Sequence, residues 1–94
     1  MSNEKIEFKF DNVISVLSGN DFGRETFKKQ MKGKFDMNKV NELVFPDKID
    51  VISSSFVQGL FSEFLNKYTP DEIASHISIG NTDHLSDIID GLKE

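Results

Sequence analysis

Three consecutive hydroxyl residues, Ser53, Ser54 and Ser55, stand directly before a run with helical apolar spacing in the segment VISSSFVQGLF, Val51 to Phe61. One serine is enough to accept a hydrogen bond from a free N–H in the first turn of a helix. The other two either fill a solvated turn or are held for another molecule to use. At a strand-to-helix junction these hydroxyls sit near unpaired N–H groups and the positive end of the helix dipole, which favour an incoming or covalently attached anion. A phosphate there gains charge-assisted hydrogen bonds and changes the surface charge by about -2.

Other chemistry finds few candidates. The two histidines, His76 and His84, fall on different expected elements, and the chain has no cysteine, so no recognised metal-ligand spacing arises. The segment SGNDFGRE has two glycines at the wrong separation for a phosphate loop and no Lys-Ser or Lys-Thr after them. There is no G-x-S-x-G elbow. Paired carboxylates abound, as in any acidic chain. The expectation is a protein that is not an enzyme and carries no cofactor or metal.

The elements that must hold the serines come from a chain of 94 residues with net charge -5, read as one domain over 1–94. Such a chain buries only about two thirds of its unfolded surface. Nine phenylalanines, one tyrosine and no tryptophan make Phe burial the main source of its core. Without a cationic start before an apolar stretch, and without a run of roughly 18 apolar residues, neither a signal peptide nor a membrane span is expected. The expected compartment is the cytoplasm. Charge is uneven. From Phe22 to Lys39 six cations (Arg24, Lys28, Lys29, Lys32, Lys34, Lys39) meet only Glu25 and Asp36. From Val40 onward acids prevail, with only Lys48, Lys67 and Lys93 against them. The basic stretch reads as a solvated helix face rather than a nucleic-acid surface, since no aromatics interleave with it and the whole chain repels phosphate.

KIEFKF, Lys5 to Phe10, alternates at period two as a half-buried strand does. VISVL, Val13 to Leu17, follows as the second strand of a hairpin. Asp21 is the expected N-cap of a surface helix from Phe22 to about Lys32, stopped by Gly33. NELVF, Asn41 to Phe45, reads as a short buried strand ended by Pro46. After the serines, Phe56, Val57, Leu60, Phe61, Phe64 and Leu65 give two adjacent stripes, the pattern of a central helix buried over a wide face. Gly59 within it costs roughly 1 kcal/mol of helix propensity, which close approach of the helix to a sheet would explain. Thr69-Pro70-Asp71-Glu72 has the form of a capping box. HISIG, His76 to Gly80, reads as a strand, and Asn81 or Thr82 caps a last helix with its stripe at Leu85, Ile88, Ile89 and Leu92. The alternation points to a small α/β domain with a partly parallel sheet.

Val-Ile-Ser-Ser-Ser-Phe followed by an apolar helix containing GLF resembles the STAS-like family of unknown function, whose members are similar to the STAS domain of anti-sigma-factor antagonists. FGRETF (Phe22 to Phe27) and ISIGNTDHLSDII extend the resemblance over roughly Leu17 to Leu92. It implies a small STAS-like domain, with a mixed or partly parallel sheet of about four strands and three to four helices. In the antagonists this helix opens with Asp-Ser-Ser-Gly or Asp-Thr-Ser-Gly and the first hydroxyl is phosphorylated. Aligned through Ile52, the Asp position is Ser53, the phosphoacceptor position is Ser54, and the Gly position is Phe56. The resemblance implies a non-enzymatic regulatory module that docks on a protein partner through Ser53, Ser54, Ser55 and Gln58, with Ser54 as the optional switch. A GHKL-type ATPase or kinase is one implied partner class. The acidic second half supports an alternative, a small mobile-element or phage-type inhibitor of a host nuclease or defence enzyme.

Overall fold

A computed structural model describes residues 4–80 and 84–94. Strands and helices follow in the order β1 (Glu4–Glu7), β2 (Val16–Leu17), α1 (Asn20–Thr26), β3 (Asn41–Val44), β4 (Val51–Ile52), α2 (Ser54–Leu60), α3 (Ser62–Leu65), α4 (Pro70–Ala74), β5 (Ile77–Ile79) and α5 (Leu85–Leu92). A π-helical turn, Phe27–Met31, prolongs α1.

Among the described residues every strand pairing is parallel. One sheet has the order β1-β3-β5, with Glu4 opposite Asn41 and Asn41 opposite Ile77. The second pairs β2 with β4, Val16 opposite Val51 and Leu17 opposite Ile52. The expected hairpin between the first two strands does not form. Asp11 does begin a turn, closed by Ile14 N–H on Asp11 O at 2.9 Å, but the chain leaving it pairs with β4 instead. Parallel neighbours need a long crossover between them, and the helices supply it.

The core is aromatic, as the composition requires. Phe8, Phe27, Phe45, Phe56 and Phe61 are buried, and Phe10, Phe22, Phe35 and Phe64 pack against them. Phe8 stacks on Phe45 at 4.7 Å between centroids, and Phe22 meets Phe56 edge-on at 5.4 Å. Such pairs add about 0.5–1.5 kcal/mol each beyond area burial. Ile6, Leu43 and Ile77 extend the core beneath the three-stranded sheet, and Ile88 and Leu92 of α5 close it.

The helix carrying the serines breaks at Phe61, whose backbone (φ -106°, ψ 15°) lies outside the helical region, so α2 and α3 form two pieces. Gly59 does mark a close approach, but its neighbour is α1 and not a sheet. A β-carbon added there would lie 2.0 Å from the Asn20 carbonyl oxygen. Gly23 answers from α1: its added β-carbon would lie 2.2 Å from the Phe56 carbonyl oxygen. The two backbones cross in contact because neither carries a side chain at the crossing.

The surface helix stops as expected, with Gly33 at φ 83°. Its last turn is wider than an α-turn, since Lys32 N–H reaches Phe27 O at 2.7 Å. Gln30 thereby faces β1, where its side-chain amide accepts from Lys9 N–H at 2.7 Å and donates to Lys9 O at 2.8 Å. One side chain thus satisfies both backbone groups that the chain exposes just past this edge strand. The Thr69 capping box closes on both sides, Glu72 N–H to Thr69 Oγ1 at 3.1 Å and Thr69 N–H to Glu72 Oε1 at 2.8 Å. The expected caps Asn81 and Thr82 lie outside the described residues; His84 holds the N-cap position of α5 without a side-chain cap. Leu85, expected on the buried stripe, is 39% exposed, because Gly91 rather than Leu85 joins Ile88 and Leu92 on the face packed against α2.

Candidate functional site

The serines lie where β4 ends and α2 begins. Ser53 N–H donates to Leu17 O at 2.8 Å, which completes the two-stranded ladder and brings the β2–α1 loop alongside. From extended backbone (φ -82°, ψ 159°) the Ser53 side chain accepts from Phe56 N–H at 3.3 Å, an N-cap contact. Ser55 turns the other way. Its Oγ accepts from Gly19 N–H at 2.9 Å and lies 3.0 Å from Ser53 Oγ. With one backbone N–H already on each oxygen, a single proton shared between the two hydroxyls closes the chain from Gly19 to Phe56.

Ser54 stands apart. It is half-buried as the first residue of α2, and among the described residues its hydroxyl has no hydrogen-bond partner. Two serines are therefore committed to structure and one is available.

Gly19 was not legible as part of this site. The sequence places a cap at Asp21, but α1 starts two residues earlier than that cap implies, with Gly19 in the cap position and no side-chain cap. Gly19 has φ 100°, a conformation an L-residue rarely adopts, and this aims its N–H at Ser55. Asp21 remains in the first turn, where its charge suits the helix dipole.

Gln58 is half-buried one turn further along α2. Its side-chain amide donates to the Gly91 and Leu92 carbonyls, so it satisfies the C-terminal turn of α5. On the other side of the serines, Val16 and Val51 face each other across the strand pair and are 49% and 47% exposed, and Val13 is 87% exposed. Their strand neighbours Leu17 and Ile52 point into the core.

The histidines serve structure. His76 Nδ1 lies 2.9 Å from Glu72 O, and His84 bridges Asp87 Oδ2 at 3.1 Å and Ile49 O at 3.0 Å. Among the described residues no three His, Cys, Asp or Glu side chains converge on a metal position, and no helix is long and apolar enough to cross a membrane.

Parallel β-strands linked by helices, with a serine-capped helix leaving the end of a short strand, define a small α/β domain of STAS-like type. The model of the STAS-like domain of unknown function matches residues 24–87, and the chain belongs to that family. Comparison with curated proteins and with solved structures finds no significant match.

Proposed function

We infer that the chain is a non-enzymatic protein-interaction module whose contact surface is the corner formed by β2, β4 and the start of α2. The observation that carries this reading is the division of labour among the serines. Ser53 and Ser55 are tied into the fold, whereas the Ser54 hydroxyl has no partner among the described residues. A contact made through Ser54 disturbs no bond of the domain itself. Val16 and Val51 offer apolar area on the adjoining strands, where a partner gains by excluding water.

Phosphorylation of Ser54 is the switch in this reading. A dianionic phosphate on the corner formed by β2, β4 and the start of α2 opposes a partner that covers its valines, so modification releases the complex. Family kinship supports a GHKL-type ATPase or kinase as the partner class. Gln58 holds α2 against α5 and contributes by fixing the helix that presents Ser54.

The test is capture of partners from a lysate of the source cell on immobilised chain, with mass spectrometry of Ser53 to Ser55, followed by calorimetric titration of the partner obtained. Ser54→Asp should weaken binding at least tenfold while Ser54→Ala retains it. Equal affinity of the two variants removes the switch. Retention of a nuclease or defence enzyme, with the serines unmodified, replaces this reading with that of an acidic inhibitor.

A further inference from the structure

At the other end of α1 from Gly19, a cavity of about 360 Å³ opens between the π-helical turn and α3. Arg24 and Lys28 stand one turn apart on one wall, Ser62 and Asn66 one turn apart on the other, with Glu63 beside them and Phe27 beneath. Among the described residues none of the five polar side chains has a hydrogen bond or ion pair. Glu25, the neighbour of Arg24, pairs with Lys29 at 3.8 Å rather than with Arg24 or Lys28.

The geometry points to a binding site for a small organic phosphate that carries hydroxyl groups. A guanidinium, an ammonium, a carboxamide and a hydroxyl face one space, a donor-rich set that suits the oxygens of a phosphate, with the guanidinium able to bind two of them at once. Glu63 is the single carboxylate and repels the phosphate itself. Its place is on the hydroxyls of the remainder of the ligand, which it accepts from while excluding a second anion. The cavity lies in the range of small-molecule sites. The wall bearing Lys28 includes the π-helical turn Phe27–Met31, a distortion that recurs at functional sites. The site also belongs to the cationic segment from Phe22 to Lys39 of an otherwise acidic chain, so a phosphate approaches it against less repulsion than elsewhere. It shares no residue with the serine corner and stands independently of the function proposed there.

Nitrogen-15 correlation spectra of the full chain, titrated with ribose 5-phosphate and separately with inorganic phosphate, test the assignment. We expect saturable shifts at residues 24–28 and 62–66, with millimolar or tighter affinity for ribose 5-phosphate and weaker binding of inorganic phosphate. Arg24→Ala and Lys28→Gln, both exposed and remote from the core, should each weaken binding by about tenfold or more, and Lys34→Gln should leave it unchanged. Glu63→Gln should tighten inorganic phosphate and narrow its difference from ribose 5-phosphate. Absence of saturable shifts overturns the site. So do shifts whose affinity is unchanged in Arg24→Ala, or that follow the exposed lysines Lys5, Lys9 and Lys34 alike, since these mark diffuse charge attraction.

Discussion

Gly23 of α1 and Gly59 of α2 mark a backbone-to-backbone crossing, where a β-carbon on either glycine would run into main-chain atoms of the other helix. An added β-carbon at Gly59 comes within 2.0 Å of Asn20 O, and one at Gly23 within 2.2 Å of Phe56 O. Both obstacles are main-chain atoms, which cannot rotate aside. Gly23→Ala and Gly59→Ala should therefore each destabilise the domain by about 2–4 kcal/mol, well beyond the roughly 1 kcal/mol that alanine gains in helix propensity. Because either substitution forces the same separation of helices, the double variant should lose less than the sum. Urea unfolding of the three variants reads this coupling directly.

The three serines should separate in stability. Ser53→Ala removes the N-cap and should cost about 1 kcal/mol. Ser55→Ala strands the Gly19 N–H and should cost a similar amount, about 1 kcal/mol, with faster exchange of the Gly19 amide. Ser54→Ala should stay within about 0.5 kcal/mol of the parent, since no bond is lost. Thermal melts together with hydrogen exchange distinguish the three; a loss at Ser54 equal to that at Ser53 would contradict the assignment of roles.

Asn41 carries a larger effect. It is fully buried, donates through Nδ2 to Asp36 O, Lys39 O and His76 O at 2.9, 3.2 and 3.0 Å, and accepts from Asp36 N–H at 2.9 Å. One side chain thus fixes the loop before β3 and its junction with β5. Asn41→Ala should cost about 3 kcal/mol, because the Asp36 N–H loses its acceptor and three carbonyls lose a side-chain donor at once, although His76 O and Asp36 O keep a backbone N–H. Asn41→Asp should be at least as harmful, because it sets an oxygen against three carbonyls. Denaturant midpoints of both variants check the order.

Gln58→Ala should loosen α5 while sparing the rest. Loss of its bonds to Gly91 O and Leu92 O should cost about 1 kcal/mol and raise amide exchange over Ile88 to Leu92 more than in β3. Uniform acceleration across the chain would point instead to a global role.

Much of this arrangement is legible in the sequence where the signal is local. The Thr69 capping box, the stop at Gly33, the β3 segment and the cap by a serine all follow from residues within a few positions of one another. What is not legible is set by distant partners. Val16 and Leu17 have the composition of a hairpin strand, and only the presence of Val51 and Ile52 alongside makes them parallel. Gly59 announces a close approach, but its neighbour, Asn20, lies in another helix. Asn41 looks like an ordinary strand opening, since nothing nearby reveals that three carbonyls converge on it. At the candidate site, the hydroxyl cluster is visible and its division of roles is not, because that depends on Gly19 arriving from the far side of the strand pair.

The wholly parallel pairing governs how the chain comes to its shape during synthesis. No strand finds its partner in the segment just made: β1 waits for β3, β2 for β4, and β3 for β5. On the ribosome β3 has β1 beside it while its other edge stays open until Ile77 emerges, a row of unpaired amides and carbonyls that a neighbouring nascent chain can seize. With so few local contacts between strands, closure is slow as well as late. The crossing of α1 and α2, complete once Leu60 is made, adds the first helix-to-helix contact to the β1–β3 and β2–β4 pairings and helps hold the chain compact until β5 seals that edge.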